Sequence, residues 1–141
     1  MEIATIEKEK NYMAVLEYAQ RALEETPENP AIYILLAQNY MSLEKERECY
    51  NLFQQAENKG VADVELYLAW GITLLNNNKI SEAKEKIEKV LELDANNANA
   101  LYRLGSCYYK EKNYEKAESL FKQAIFEDPT NTLAISDLGI L

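Results

Sequence analysis

The chain has 141 residues, about the size of one domain, and carries 24 acidic against 15 basic residues for a net charge of −9. An acidic chain without a basic stripe argues against binding to nucleic acid or to an anionic membrane surface. Apolar residues make up 48% of the chain, which is too many for a disordered segment and enough for a continuous core.

The sequence carries no pattern typical of export or of a membrane span. Residues 1–10 alternate charged and small residues, without the apolar run of a secretion signal. No stretch approaches the roughly 18 uninterrupted apolar residues of a membrane-spanning helix. The two cysteines, Cys49 and Cys107, are expected to be unpaired. We therefore expect a reducing, cytoplasmic setting.

The periodicity of apolar residues predicts nine helices along the chain. Their predicted spans are 1–9, 11–25, 30–43, 46–59, 64–77, 80–93, 98–111, 114–127 and 132–141. Residues that favour the N-cap position precede four of these helices at a constant interval along the chain, and they are Asn29, Asp63, Asn97 and Asn131. Gly60 and the run Asn76–Asn78 are predicted to form turns, because glycine and asparagine tolerate the left-handed conformation.

The packing residues recur at the same interval as the caps. In residues 98–131, the small residues Gly105 and Ala117 stand where two helices are expected to cross closely. A larger side chain at such a crossing would cost about 1–3 kcal/mol by overpacking. Residues 64–97 and 30–63 repeat the pattern, whereas residues 1–29 and 132–141 carry only part of it.

This spacing resembles the tetratricopeptide repeat, a helix–turn–helix unit of about 34 residues. The residues that carry the resemblance in repeat 98–131 are Leu101, Leu104, Gly105, Tyr108, Ala117, Phe121, Ala124 and Pro129. The resemblance implies an all-α fold, a right-handed α-solenoid of antiparallel helix pairs. We expect a single domain over residues 1–141, with complete repeats at 30–63, 64–97 and 98–131 and partial repeats at 1–29 and 132–141.

The resemblance also implies a groove lined by the first helix of each pair, which would bind a protein or peptide partner. Helical geometry selects the residues beside the packing face of those helices. They are Ile34, Leu35, Gln38 and Met41 in repeat 30–63, Glu65, Leu68, Ala69, Ile72 and Asn76 in repeat 64–97, and Asn99, Tyr102, Arg103, Ser106, Tyr109 and Lys110 in repeat 98–131. Asp137 would extend the row. The alternative is that Leu68, Ile72 and Tyr102 only pack between neighbouring helices.

We expect no catalytic residues, no metal site and no cofactor in this chain. It contains no histidine, which is the most common general base and metal ligand. Cys49 and Cys107 are expected to be structural, since free cysteine behaves as a small buried hydrophobe.

The sequence therefore predicts a protein–protein interaction scaffold rather than an enzyme. Two alternatives stay open: a regulatory or targeting module of a larger multidomain enzyme or sensor, and a self-assembly element that acts through its open ends. The second alternative comes from residues 132–141, where Leu133, Ile135 and Leu138 lack a second helix to cover them. A homo-oligomer through this C-terminal helix would bury these residues.

Overall fold

The structure, a computed structural model, describes the backbone of residues 3–140, and residues 1, 2 and 141 of the predicted terminal helices lie outside it. The described residues form eight helices and no strand, which confirms the all-α prediction for this part of the chain. The helices are α1 (Ile3–Glu25), α2 (Pro30–Ser42), α3 (Glu46–Asn58), α4 (Val64–Asn76), α5 (Ile80–Leu93), α6 (Ala98–Lys110), α7 (Tyr114–Glu127) and α8 (Thr132–Ile140).

The N-terminal region differs from the sequence prediction. The prediction of two separate helices at 1–9 and 11–25 is wrong, because α1 runs without a break through residue 10. The turns inside the later helix pairs use Glu44, Asn78 and Lys112, which have φ values of 60°, 63° and 64° and recur once in each repeat. An ordinary residue in that conformation needs a packed first helix to hold it there. Residues 3–9 lack the apolar pattern of such a helix, so the backbone at Lys10 stays helical.

All four predicted N-caps are confirmed. The side-chain oxygen of each cap accepts a hydrogen bond from a backbone N–H two or three residues further on, at 2.9–3.1 Å, and the caps are Asn29, Asp63, Asn97 and Asn131. Gly60 ends its helix at a φ of 73°, as predicted. The helices therefore begin and end where local side-chain chemistry favours it.

The helices fall into two compact units that divide between Leu66 and Tyr67. In the first unit, α2 packs against both α1 and α3. Leu16, Ala19 and Leu36 form a buried cluster at the α1–α2 contact. Tyr33 and Phe53 are fully buried in the same unit.

In the second unit, α6 packs against α5 and α7, and α8 packs against α7. Gly105 lies at a close contact between paired helices, as predicted, and so does Gly71, its equivalent one repeat earlier. A Cβ atom added to Gly71 would lie 2.7 Å from Cγ1 of Ile87, and one added to Gly105 would lie 2.7 Å from Cε1 of Phe121. Each glycine thus leaves room for one large side chain of the second helix. Among residues 3–140, no helix is both long and apolar enough to cross a bilayer.

Candidate partner-binding site

A pocket of about 350 Å³ opens in the second unit, between α4, α6, α7 and α8. We call it the α6 pocket, because α6 supplies most of its walls. Its lining residues are Leu75, Asn76, Tyr102, Arg103, Ser106, Tyr109, Lys110, Phe121 and Asp137. Six of them were predicted as groove residues, and Asp137 was predicted to extend the row. The structure brings these seven side chains together around one cavity.

The contribution of α6 follows from helical geometry. Tyr102, Ser106 and Tyr109 are spaced by four and three residues, so they share one face of the helix. Leu101 and Leu104 lie on another face and are buried in the core of the unit. The cap at Asn97 fixes where the helix begins, and the buried face fixes its rotation. The pocket residues are therefore positioned by the same packing that folds the repeat.

Tyr102 is the most constrained side chain of the pocket. Its ring lies 5.7 Å from the ring of Phe121, and its hydroxyl donates a 2.8 Å hydrogen bond to Oδ2 of Asp137. The Ser106 hydroxyl donates to the backbone carbonyl of Tyr102 at 3.2 Å. Burial, and then the bond to Asp137, raise the pKa of Tyr102 above its ordinary value. Tyr102 is thus a neutral, fixed wall that both packs against its neighbours and faces the cavity.

Two cations lie at the edge of this aromatic wall. The guanidinium carbon of Arg103 lies 5.3 Å from the centre of the Tyr102 ring, and Arg103 Nε donates to Oδ1 of Asn99 at 3.2 Å. Lys110 is exposed at the end of α6. Neither cation forms an ion pair with a carboxylate among residues 7–139, so both remain available to an incoming anion. The exposed Tyr109 is held edge-on against Tyr114, with 5.3 Å between the ring centres.

The other predicted groove residues lie outside the α6 pocket. In the second unit, Leu68 is buried on α4, Ala69 and Ile72 are half-buried, and Asn99 is exposed in the first turn of α6. The remaining five belong to the first unit: Leu35, Gln38 and Glu65 are exposed, and Ile34 and Met41 are half-buried. Their role in partner binding stays a prediction.

Two pocket residues, Leu75 and Phe121, were not among the predicted groove residues. Leu75 could have been found, because it precedes the predicted Tyr109 by one repeat length. Phe121 was named only as a residue of the repeat pattern, and the structure shows that its buried ring also forms part of the pocket wall. No sequence signal separates these two roles of one aromatic residue.

The two cysteines are buried and free. Burial raises the pKa of Cys49 to about 12, with the charge of Glu46 adding to the effect. Burial also raises the pKa of Cys107 to about 11. Both are therefore thiols near neutral pH, and a thiol is a poor nucleophile compared with a thiolate. Their surroundings fit the predicted structural role.

Comparisons with known proteins bear on the family and the fold. Residues 68–132 match the family model of the tetratricopeptide repeat. The solved structure of YrrB, described as a TPR protein with an unusual peptide-binding site, superposes with a TM-score of 0.75 and 26% identity, over 91% of this chain and 66% of YrrB. This likeness indicates that the predicted class of fold, a helical solenoid, is correct.

Curated relatives share part of their length with this chain. The BBSome complex member BBS4 homolog of Drosophila melanogaster is 22% identical over 95% of the chain. The human protein O-mannosyl-transferase TMTC3 is 32% identical over 82% of the chain. The chain spans 28% of the first relative and 13% of the second. The activities of those whole proteins therefore do not transfer to it.

Proposed function

Because the chain belongs to the tetratricopeptide repeat family, we propose that it is an interaction scaffold whose α6 pocket binds a segment of a partner polypeptide. Membership of this family supports a general role in protein–protein interaction. The α6 pocket is the place in the second unit that we propose for this role.

The observation that carries the proposal is the fixed Tyr102 wall beside Arg103 and Lys110. Tyrosine and arginine are among the residue types that most often dominate binding energy at interfaces. Tyr102 is already held by Phe121 and Asp137, so a partner would spend little conformational entropy on ordering it. A cavity of about 350 Å³ is at the small end of ligand pockets, which range over roughly 300–1,000 Å³. It fits one or two side chains rather than a whole helix.

The chemistry of the lining selects the partner's residues. An aromatic or apolar side chain would bury itself against Tyr102 and Leu75. A carboxylate beside it would face Arg103 and Lys110. The pocket lining carries two cations and one carboxylate, Asp137, which accepts the hydrogen bond from Tyr102, so the lining favours an acidic group although the net charge of the chain is −9. Peptide binding by YrrB, as its description states, supports this mode of action.

We propose no catalytic activity, no cofactor and no binding to nucleic acid or membranes. Repeats of this family generally act as scaffolds. One relative is a transferase by name, but the chain spans only 13% of it. The small fraction of each relative that is covered also supports the alternative that these repeats serve as a regulatory or targeting module of a larger protein. A cytoplasmic setting remains part of the proposal.

The test is selection from a random peptide library displayed on phage, with the intact chain as the target. We expect the selected peptides to combine an aromatic with an acidic residue. Lys110→Glu should weaken the best peptide about tenfold or more, because it replaces an attraction by a repulsion. Lys122→Glu on α7 is the matched control, since Lys122 lies outside the α6 pocket, and it should leave the affinity within about twofold. Equal losses in both variants would contradict the proposal.

A second candidate function is self-assembly through α8. The observation that favours it is the exposure of Leu133 and Ile135, which are 54% and 47% accessible in a short terminal helix. Neither residue lines the α6 pocket, so the two candidate functions can be tested separately.

A further inference from the structure

Several hydrogen-bond donors of the α6 pocket have no partner within the described part of the chain. Arg103 donates through its Nε atom, and the two terminal amino groups of its guanidinium form no hydrogen bond or ion pair with residues 7–139. The same holds for the ammonium of Lys110 and for the side-chain amide of Asn76. The lining can therefore donate hydrogen bonds to a ligand from three side chains.

The carboxylate of the lining is already engaged. Oδ2 of Asp137 accepts the hydroxyl hydrogen of Tyr102 at 2.8 Å. Asp137 and the two cations together give the lining a net charge of +1, from two positive charges and one negative charge. The pocket therefore favours a ligand group that is negatively charged and that only accepts hydrogen bonds.

Two tyrosines and two cations form neighbouring rows along α6. Tyr102 directly precedes Arg103, and seven residues later Tyr109 directly precedes Lys110. Seven residues make about two turns of a helix, so the tyrosine row (Tyr102 and Tyr109) runs beside the cation row (Arg103 and Lys110). The guanidinium carbon of Arg103 lies 5.3 Å from the centre of the Tyr102 ring. An aromatic group that packs against the tyrosine row therefore has its edge beside the cation row.

A phosphate suits the cation row better than a carboxylate does. A phosphate monoester carries a charge of about −1.5 to −2 near pH 7 and has three strong acceptor oxygens. A guanidinium binds phosphate through two parallel hydrogen bonds, and the terminal amino groups of Arg103 are free for that contact. Lys110 is exposed and has a flexible stem, so its ammonium can reach the same phosphate.

Phosphotyrosine joins the two chemical groups that the two rows would bind. Its phosphate is attached to the edge of an aromatic ring, so a ring against the tyrosine row places the phosphate beside Arg103. Tyr109 is 37% exposed and is held edge-on against Tyr114, which makes it a fixed aromatic surface for such a ring. The cavity of about 350 Å³ accommodates one side chain of this size.

We propose that the partner segment carries a phosphotyrosine, whose ring packs against the tyrosine row and whose phosphate binds the cation row. This inference rests on the proposed function, because it names the residue that the α6 pocket would recognise. Binding would then depend on the state of the partner: a tyrosine without phosphate would leave Arg103 and Lys110 without an anion.

The test is isothermal titration calorimetry of the intact chain with short alanine-based peptides. The peptides differ only in the central residue, which is tyrosine, phosphotyrosine, phosphoserine or aspartate. Acetylated and amidated ends remove the terminal charges, so a free terminal carboxylate cannot occupy the cation row. We expect the phosphotyrosine peptide to bind at least about tenfold more tightly than the tyrosine peptide, because it adds a charge-assisted contact. It should also bind more tightly than the phosphoserine peptide, which has no ring.

Substitutions in the cation row show where the phosphate binds. Arg103→Gln and Lys110→Gln should each remove most of the gain from phosphorylation, and they should change the affinity for the tyrosine peptide by less than about twofold. Arg103→Lys should retain only part of the gain, because lysine keeps the charge and loses the planar fork. Lys122→Gln on α7 is the matched control outside the pocket, and it should retain the full gain. Circular dichroism should show the same helix content in every variant.

The pH dependence of binding distinguishes the phosphate from a carboxylate. The second pKa of the phosphate is about 6, so the phosphotyrosine peptide takes up a proton as the pH falls from about 7.5 to 5, and its affinity should fall with the lost charge. The aspartate peptide stays ionised over most of this range and serves as the control for any titration of the pocket itself.

Four results would overturn the phosphotyrosine proposal. In the first, peptides selected on phage bind the pocket but the phosphotyrosine peptide gains nothing over the tyrosine peptide, which leaves the proposed function standing. In the second, phosphoserine binds as tightly as phosphotyrosine, so the ring is not recognised. In the third, the gain persists in both Arg103→Gln and Lys110→Gln, so the phosphate binds elsewhere. In the fourth, AMP binds as tightly as the phosphotyrosine peptide, which indicates a nucleotide site. If no selected peptide depends on Lys110 either, the proposed function fails as well.

Discussion

The α2–α3 pair of the first unit and the α6–α7 pair of the second unit lie two repeat lengths apart in the sequence. Their packing positions correspond closely. Phe53 and Phe121 occupy the same place and are both buried almost completely. Their surface positions do not correspond: Arg103 and Lys110 on α6 stand where α2 has Leu35 and Ser42.

This comparison teaches that the repeat constrains the contact between the paired helices and leaves the outer face free to vary. α2 carries no charged residue, whereas α6 carries two cations beside an aromatic wall. Both helices still bury their apolar side against a second helix. If the α6 pocket binds a partner as proposed, Arg103 and Lys110 can be changed without disturbing the contact between the helices, whereas Phe121 belongs both to that contact and to the pocket.

The largest expected effect comes from removing the equivalent aromatic residues. Phe53→Ala and Phe121→Ala should each lower the free energy of unfolding by about 3–5 kcal/mol, because each leaves a cavity in a packed core. Urea unfolding followed by circular dichroism measures the loss. Only Phe121→Ala should also weaken peptide binding, since Phe121 lines the α6 pocket.

The labelling rates of the two buried thiols report which unit each of these substitutions destabilises. Cys49 lies in the first unit and Cys107 in the second, and because both are buried we expect a thiol reagent to label them slowly. Phe53→Ala should accelerate labelling of Cys49, and Phe121→Ala should accelerate labelling of Cys107. If either substitution accelerates the labelling of both cysteines equally, the two units unfold together. The comparison of their separate stabilities would then be wrong.

A smaller loss of stability should follow when the small residues at equivalent helix contacts, Gly105 and Ala37, are each replaced by the residue of the other. Gly105→Ala places a Cβ atom 2.7 Å from the rigid ring of Phe121, so overpacking of about 1–3 kcal/mol should exceed the roughly 1 kcal/mol gained in helix propensity. Ala37→Gly should cost about 1–2 kcal/mol, because it loses helix propensity and a buried methyl group. Thermal unfolding of both variants provides the measurement. A stabilised Gly105→Ala variant would show that the ring moves aside readily.

The sequence could predict those features of the fold that are set locally. Caps such as Asn97 and turns such as Asn78 depend on residues close to each other in the chain, and the period of the repeat marks each one several times. The continuous α1 could not be predicted in the same way. Whether the backbone turns at Lys10 depends on whether residues 3–9 find a packing surface, which is a tertiary question.

The candidate site likewise combines residues that the sequence can predict with residues that it cannot. Residues on a single helix face, such as Tyr102, Ser106 and Tyr109, follow from helical geometry alone. The contribution of Phe121 depends on how closely α7 approaches α6. The hydrogen bond between Tyr102 and Asp137 joins residues 35 positions apart, and no periodic pattern predicts it.

Tyr102→Phe should lower the free energy of unfolding by about 1 kcal/mol, because it removes a hydrogen bond to a carboxylate that is partly exposed. The pKa of Tyr102 is raised above 10.0 in the folded chain, first by burial and then by Asp137. The folded state thus favours the neutral hydroxyl. The stabilisation is present below pH 10 and is lost as the pH rises through the folded pKa.

Hydrogen exchange and pH titration both test this prediction. Amide exchange should become faster in α8 of Tyr102→Phe, because α8 loses a bond to α6. Between pH 9 and 11, the wild type should lose more stability than the variant. The matched control is Tyr33→Phe in the first unit, where the hydroxyl donates to the carbonyl of Pro27 at 3.0 Å, and it should leave exchange in α8 unchanged. If amide exchange in α8 is equally fast in the wild type and in Tyr102→Phe, the hydrogen bond from Tyr102 does not stabilise α8.

The smallest expected effect comes from two ion pairs, one in each unit. Lys84 on α5 contacts Glu111 after α6 at 2.7 Å and lies 4.7 Å from the centre of the Tyr108 ring. Arg21 and Glu17 form a 3.1 Å pair within α1. Lys84→Gln should lower the free energy of unfolding by about 0.5–1 kcal/mol, since it loses a contact between helices. Arg21→Gln should lower it by about 0.3 kcal/mol.

Salt and pH separate these two pairs. The pKa of Lys84 is raised above 10.5, first by the hydrogen bond from Lys84 to Glu111, so its stabilisation is present below pH 10.5 and lost as the pH rises through the folded value. Both side chains of the Arg21–Glu17 pair are more than two-thirds exposed, so the effect of Arg21→Gln should nearly vanish in about 1 M salt. The effect of Lys84→Gln should persist in part, because the Lys84 side chain is only 23% exposed and also covers an aromatic ring. Equal salt sensitivity in the two variants would mean that the contact between α5 and α6 gains nothing from its partial burial.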